Sequence, residues 1–304
     1  MNSLPKMVAT LPDPIITIFI VYLCDVRFKQ RLAINYIQTK FKVLTAVSKR
    51  KAAEKAFELF CTPLNKSISK KELKNAEATS FKLNTKTIRG YQWNSEGIKT
   101  LLILHGFGSA AYKFERYVNP AVKKGYRVLA FDAPAHGLSD GKTTDAVEYS
   151  ETILKIIEQY GTVHSFIGHS FGGIGLSLAL ENIEDAETKK VVFIAPATET
   201  TTAISKAFEL LKITNNEVRE EIDKLIFEKG GKPTEWYSIR RILKNIHPQI
   251  LWIHDEGDDI TPLSDALKVK EDNHNNINFV ITNGLSHQRI YHDAEVRKQV
   301  IDFL

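Results

Sequence analysis

Hydrophobic and polar residues alternate in blocks along most of the chain. Short apolar runs that end at Gly, Pro, Asn or Asp predict strands, and they lie at 79–83, 86–93, 100–105, 127–132, 165–168, 191–195, 250–254 and 277–281. Stretches with helical spacing separate several of these runs, at about 111–124, 145–159, 170–180 and 292–304. Continuous apolar strands separated by helices are typical of a parallel sheet covered on both faces. The pattern therefore predicts an α/β domain with a mostly parallel central sheet flanked by helices.

One segment, residues 197–247, breaks this alternation. It contains no strand-like run, and its spacing predicts helices over 203–211, 217–227 and 236–246. An insertion between two strands of a parallel sheet usually lies over their carboxyl ends, where ligands bind, so we expect a helical cap. Its large apolar residues either line a pocket or pack on the sheet. They are Phe208, Leu210, Leu211, Phe227 and Trp236.

The N-terminal quarter has a different charge balance. Residues 1–75 carry 14 Lys and Arg against 5 Asp and Glu, whereas the remainder carries 27 against 31. An apolar run at 15–24 is too short for a spanning helix, which needs about twenty residues. Helical spacing follows over 31–60 and ends at 61–63. We predict a basic N-terminal helical extension, 1–75, followed by a main domain, 76–304.

Composition excludes several classes of protein. Hydrophobic residues make up 43% and charged residues 25%, which is typical of a globular protein. The two cysteines, Cys24 and Cys61, do not make a disulfide framework, which favours a reducing compartment such as the cytoplasm. Metal-ligand spacing, phosphate-binding and dinucleotide motifs and basic–aromatic modules are absent. We therefore expect no metal, no cofactor and no nucleic-acid partner.

A serine motif supplies the candidate chemistry. Residues 168–172 (GHSFG) match G-x-S-x-G, directly after a predicted strand and at the start of a predicted helix. In so tight a turn, side chains two positions before and two positions after Ser170 would collide, so Gly168 and Gly172 lack Cβ atoms. The helix dipole at this position favours negative charge. The motif predicts an exposed serine nucleophile.

At this point the chain resembles the α/β-hydrolase family, from about residue 79 to its C-terminus. Four further segments carry the resemblance in the expected order: 105–109 (HGFGS), 131–139 (FDAPAHGLS), 254–262 (HDEGDDITP) and 284–287 (GLSH). The resemblance implies the α/β-hydrolase fold. The HGFG and GHSFGG sequences are similar to those of its serine esterase, lipase and acyl-peptidase branch.

The resemblance also implies which residues act. Ser170, Asp258 and His287 correspond to the family's catalytic triad, in the chain order that this fold uses. Histidine would take the serine proton and the aspartate would orient the imidazole. The backbone N–H groups of Phe107 and Phe171 correspond to the oxyanion hole, which stabilises the tetrahedral intermediate.

Some positions have rivals. Asp255 and Asp259 are alternatives for the acid, and His292 is the alternative for the histidine. Asp132 precedes the serine in the chain, so we expect it to form a structural turn. The resemblance gives structural roles to three histidines inside the motifs, His105, His136 and His169.

The sequence thus predicts a serine hydrolase that cleaves a carboxylic ester of a small-molecule acyl substrate through an acyl-enzyme. A thioesterase or an acyl-peptidase would use the same triad, and a non-catalytic hydrolase-fold binding protein is a further alternative. The basic N-terminus is either a solvated helical face or a surface attracted to an anionic membrane, as in a peripheral lipase.

Overall fold

The computed structural model describes residues 28–63, 67–69 and 72–304. Within them, eight strands form one sheet in the order β1-β2-β4-β3-β5-β6-β7-β8. The strands are β1 (Glu77–Leu83), β2 (Lys86–Trp93), β3 (Lys99–Leu104), β4 (Tyr126–Phe131), β5 (Ser165–His169), β6 (Lys190–Ile194), β7 (Gln249–Asp255) and β8 (Ile277–Thr282). β2 pairs antiparallel with β1 and β4, and every other pairing is parallel. The predicted mostly parallel sheet is confirmed.

Eleven α-helices accompany the sheet in the described part of the chain. They are α1 (Phe28–Val47), α2 (Lys49–Phe60), α3 (Glu115–Lys123), α4 (Ala146–Tyr160), α5 (Phe171–Leu180), α6 (Thr200–Leu211), α7 (Asn216–Gly230), α8 (Ile239–Ile242), α9 (Leu263–Glu271), α10 (Ser286–Arg289) and α11 (Ala294–Phe303). The predicted helix over 111–124 begins as a 3₁₀ turn, Ala111–Phe114, before α3.

Side chains alternate between the two faces of a strand, and helices cover both faces of the central strands. Leu102 and Leu104 of β3 pack in one apolar cluster with α4 and α5. Leu101 and Ile103 pack in a second cluster with α3 and α11. This explains why the strand is a continuous apolar run rather than an alternating one. The register sets Leu104 beside Gly168, so the ends of β3 and β5 meet at one edge.

The N-terminal helices pack on the insertion. Helix α2 begins at Ser48, whose hydroxyl accepts the N–H of Lys51, and packs against α7. Ala52, Ala53 and Ala56 are buried along α2, and such small side chains allow two helices to approach closely. The Gln38 amide of α1 also donates a hydrogen bond to a carbonyl of α6.

Ion pairs reinforce this contact and neutralise part of the basic N-terminus. Arg50 of α2 donates two hydrogen bonds to Glu228 of α7, at 2.9 and 2.5 Å, and lies 3.5 Å from Glu221. Lys49 lies 3.6 Å from Glu217. The residues are partly exposed, so each pair contributes modestly. Together they set basic α2 against acidic α7.

The insertion is helical, as predicted, but its third helix is not. Instead of a helix over 236–246, the chain forms a 3₁₀ turn, Thr234–Trp236, and the short α8. Ser238 between them is extended because its hydroxyl bonds to Glu199 and accepts the N–H of Arg241. These contacts override the local spacing, so this part of the prediction is wrong.

The large apolar residues of the insertion have different surroundings, and Phe227 is 56% exposed. Phe208 and Leu211 line a small apolar cavity with Phe57 and Phe60 of α2. The Trp236 ring stacks on the Arg241 guanidinium, whose carbon lies 3.8 Å from the ring centroid. Phe208 and Leu211 thus pack against α2, in an apolar cluster that also includes residues of the sheet.

In the described residues, no helix combines the length and the apolar character needed to cross a membrane. The apolar run predicted at 15–24 lies outside those residues, as does Cys24. The division into an extension, 1–75, and a main domain, 76–304, stays a prediction.

If α2 is an integral part of the core, Leu59→Ala should destabilise the whole protein. Leu59 is 4% exposed, and truncation of such a leucine costs about 2–5 kcal/mol. Urea denaturation followed by circular dichroism measures this loss. Val47→Ala is the control, because Val47 is 75% exposed and its truncation should change stability by less than about 0.5 kcal/mol. Equal midpoints for the two variants would show that α2 is not part of the cooperative core.

Candidate active site

The predicted nucleophile forms the whole turn between β5 and α5. Ser170 has φ 52° and ψ −119°, a left-handed conformation that is costly for a residue with a side chain. Its N–H donates to the carbonyl of Ile194 at 3.1 Å, and its carbonyl accepts the N–H of Gly173 at 2.9 Å. These backbone bonds hold the strained turn in place.

Two glycines allow the turn, for different reasons. A Cβ on Gly168 would lie 3.2 Å from the carbonyl oxygen of Gly172, so the predicted crowding within the turn is present there. A Cβ on Gly172 would instead lie 2.6 Å from the carbonyl oxygen of Leu104, at the end of β3. Gly172 is therefore required mainly by the neighbouring strand.

Three predicted side chains meet at the carboxyl edge of the sheet. His287 Nε2 lies 3.0 Å from Ser170 Oγ, and His287 Nδ1 lies 2.8 Å from Asp258 Oδ2. All three residues are buried, with 8% of Ser170 exposed at the surface. The serine, imidazole and carboxylate thus form one continuous hydrogen-bonded chain.

The Asp258 carboxylate is fully saturated with donors. Its Oδ1 accepts the N–H groups of Ile260 and Thr261, both at 2.9 Å, and its Oδ2 also lies 2.9 Å from the Thr261 hydroxyl. Burial raises the pKa of the carboxyl, but the hydrogen bond from His287, its charge and the Thr261 N–H outweigh it. The net pKa lies below its usual value, which keeps Asp258 ionised.

The rival acids occupy other positions. Asp255 is buried at the end of β7 and accepts hydrogen bonds from the N–H groups of Leu285 and Ser286 and from the Thr282 hydroxyl. It thereby holds the loop that carries His287. Asp259 is exposed. Neither carboxylate is hydrogen-bonded to the imidazole, and sequence reasoning missed the part that Asp255 plays.

The other histidines near the serine are neutral. Burial, with a further contribution from nearby His287, holds the pKa of His169 well below its ordinary value. Burial also lowers the pKa of His105, to about 3. His105 Nε2 accepts the N–H of Ala133, and His136 Nε2 accepts the N–H of Gly108, so both rings join the loops after β3 and β4. His292, the rival base, is not hydrogen-bonded to the serine.

Asp132 also has a structural place, as expected. Its carboxylate accepts the N–H groups of Ala111 and Leu138, and its carbonyl accepts the Ser139 hydroxyl. These bonds close the turn after β4 and tie it to the start of the 3₁₀ turn before α3. Burial raises the pKa of this carboxyl.

The loop after β3 lies directly against the serine turn. A Cβ on Gly106 would come within 2.8 Å of His169 Nδ1 and 3.0 Å of Ser170 Cβ. Phe107 follows in this loop and Phe171 follows the serine, and their rings meet edge to face with centroids 5.3 Å apart. The two residues predicted for the oxyanion hole thus flank Ser170.

The described residues contain no cluster of three or more His, Cys, Asp or Glu side chains that could hold a metal ion.

Comparisons with known proteins bear on the fold that carries this site. A model of the alpha/beta hydrolase fold matches residues 99–222. The uncharacterized hydrolase YugF of Bacillus subtilis is 32% identical over 97 residues, which cover 30% of this chain and 35% of that protein. The probable esterase PIR7A of Oryza sativa is 30% identical over 105 residues, which cover 33% and 40%. The chain thus spans well under half the length of these curated relatives.

The whole fold is also found in solved structures. The esterase Pf2001 of Pyrococcus furiosus superposes with a TM-score of 0.60 at 19% identity, over 79% of this chain and 97% of that one. With the strand order, the serine turn and the family match, this likeness confirms the fold. The chain has the α/β-hydrolase fold, and residues 99–222 match the model of that fold family.

Replacing the carboxylate that holds the His287 loop should destabilise the protein in a pH-dependent way. Burial raises the pKa of Asp255, but the hydrogen bonds from Thr282, Leu285 and Ser286 lower it by more than burial raises it. The pKa of Asp255 is therefore below its usual value. Asp255→Asn should cost about 1–3 kcal/mol at neutral pH, because the new amide presents hydrogens to backbone donors.

The pH dependence has a definite sign. Because the folded pKa is lowered, the Asp255 contribution is fully present above the unfolded pKa of about 3.9 and is lost as the pH falls through the folded pKa. Urea denaturation at a series of pH values measures the difference in unfolding free energy between wild type and variant. Asp259→Asn is the matched control. A gap that persists unchanged in strong acid would contradict the assignment.

Proposed function

We propose that the protein is a serine hydrolase that cleaves a carboxylic ester through an acyl-enzyme. The main support for the proposal is the unbroken series of hydrogen bonds from Ser170 through His287 to Asp258, at 3.0 and 2.8 Å. A serine becomes a nucleophile when a neighbouring base takes its proton, and an oriented imidazole is such a base.

In the acylation step, His287 Nε2 takes the Ser170 proton as Oγ attacks the ester carbonyl carbon. The carbonyl oxygen becomes an oxyanion, which the N–H groups of Phe107 and Phe171 stabilise in this proposal. Neither N–H has a hydrogen-bond partner in the described part of the chain, so both are free to donate. His287 then returns the proton to the leaving alkoxide, and the alcohol departs.

Deacylation repeats the same steps with water. His287 takes a proton from a water molecule, whose oxygen attacks the acyl carbon, and then returns the proton to Ser170 Oγ as the acid leaves. Asp258 stays ionised throughout, because its pKa is lowered, and it stabilises the imidazolium in both steps. The start of α5 adds a favourable dipole at the oxyanion.

The relatives support an ester as the scissile group, since two of those compared above bear the name esterase. Thioesters and amides are attacked by the same triad, so the substrate panel must include them.

Removing the nucleophile should abolish turnover. We expect Ser170→Ala to lower the hydrolysis of p-nitrophenyl esters by at least about 10³-fold, because the triad residues act as a unit. Ser177→Ala is the matched control: this serine is buried in the same helix, bonds only to the Gly173 carbonyl and should leave activity unchanged. Acyl chains from acetyl to palmitoyl then give the preferred length.

A serine-directed phosphonate separates the remaining outcomes. Labelling at Ser170 without ester turnover would point to a thioester or an amide. A folded protein that neither turns over substrate nor labels would overturn the proposed hydrolase and favour a binding module.

One observation favours a second property, binding to anionic membranes. Tyr36, Val43 and Val47 are 53%, 62% and 75% exposed and share one face of α1 by helical spacing. Lys40 and Lys42 lie exposed on the same helix, which contains no acidic residue. An exposed apolar stripe beside lysines is typical of a helix that lies in a membrane interface.

Point variants test this without removing helices that pack on the insertion. The full chain should co-sediment with phosphatidylserine-containing vesicles at low salt. The double variant Val43→Ser, Val47→Ser should lower the partition coefficient by on the order of tenfold, since less apolar surface enters the interface. Ile98→Ser is the control, because Ile98 is 92% exposed and lies outside α1, between β2 and β3. Equal losses for both variants, or no binding by the wild type, would contradict membrane binding.

A further inference from the structure

The hydroxyl of Thr261 touches both partners of the imidazole–carboxylate pair. Its Oγ1 lies 2.9 Å from Asp258 Oδ2 and 3.1 Å from His287 Nδ1. A third contact, also 3.1 Å, reaches the carbonyl oxygen of Ala195, just after β6. Thr261 is 8% exposed, so water does not compete freely for these contacts.

The main chain of Thr261 is fixed independently of its hydroxyl. Its N–H donates to Asp258 Oδ1 at 2.9 Å, and its carbonyl lies 2.7 Å from His254 Nε2. Burial lowers the pKa of His254, so this ring is neutral and its Nε2 donates the bond. The hydroxyl therefore projects from a rigid point between the acid and the base.

A hydroxyl has one hydrogen and two lone pairs, and the geometry uses them in one consistent way. His287 Nδ1–H donates chiefly to Asp258, since charge-assisted hydrogen bonds are the stronger ones. The Thr261 oxygen accepts a weaker share of the same N–H, and its own hydrogen is directed to Asp258 or to the Ala195 carbonyl. With either choice, the hydroxyl oxygen stays in contact with both the carboxylate and the ring.

We infer that Thr261 is a positioning residue for the proposed reaction. Its hydroxyl restrains the His287 ring so that Nε2 stays directed at Ser170, and it shares the Asp258 charge. The expected effect on catalysis rests on the proposed function. The restraint on the His287 ring rests on the contacts alone. The alternative is a merely structural threonine, whose hydroxyl ties the loop after β7 to β6.

Thr261→Val removes the hydroxyl and keeps the branched shape. We expect kcat on the best p-nitrophenyl ester to fall about tenfold with KM within about twofold, because a less restrained ring reaches the attack geometry less often. Thr261→Ser restores the hydroxyl and should recover most of kcat. Thr152→Val is the matched control, since Thr152 is fully buried and bonds to the Glu148 carbonyl within α4.

A proton NMR measurement tests the contact without substrate. The His287 Nδ1 proton should move downfield in Thr261→Val, because the N–H loses its second acceptor and donates to Asp258 alone. It should return in Thr261→Ser and stay unchanged in Thr152→Val. An unmoved resonance together with wild-type kcat in Thr261→Val would overturn the inference.

The two proposals fail in distinguishable ways. If the wild type hydrolyses no ester and Ser170 does not label, the hydrolase proposal fails, while the resonance still decides whether Thr261 holds the ring. If Thr261→Val only loses stability, to the same extent as Thr152→Val, with kcat per folded molecule and the resonance unchanged, Thr261 is structural.

Discussion

The site depends on a close approach of bare backbone at the ends of β3 and β5. Gly172 lies so near the Leu104 carbonyl that one extra carbon would clash, and a carbon added at Gly106 would come within 3.0 Å of Ser170 Cβ. This contact sets the loop with Phe107 beside the serine. Side chains at either glycine would push the two strand ends apart and separate the nucleophile from its expected oxyanion donors.

The second requirement is a pair of carboxylates with different tasks at the end of β7. Asp255 holds the backbone of the loop before His287, whereas Asp258 meets the imidazole itself. They are three residues apart, yet their hydrogen-bond partners are almost entirely separate. The loop and the ring are therefore fixed by different charges, and a change in one does not remove the partner of the other.

Much of this could be predicted from sequence, because short-range patterns carry it. The strands are continuous apolar runs, the G-x-S-x-G motif selects Ser170, and the family resemblance indicates His287. Thr261 could not be predicted, since its hydroxyl meets Ala195, Asp258 and His287, which only the folded chain brings together. For the same reason, helical spacing indicated a buried face on α2 without indicating that α7 covers it.

The packing of α2 on α7 has a consequence for synthesis of the chain. Arg50 and its partner Glu228 are 178 residues apart. At about 5–20 residues per second, the ribosome needs on the order of ten to forty seconds to make that stretch. During this interval the apolar side of α2 is outside the ribosome without the helix that later covers it. Helix α2 is thus made well before the helix that covers it, and its apolar side stays uncovered by α7 until residue 230 emerges.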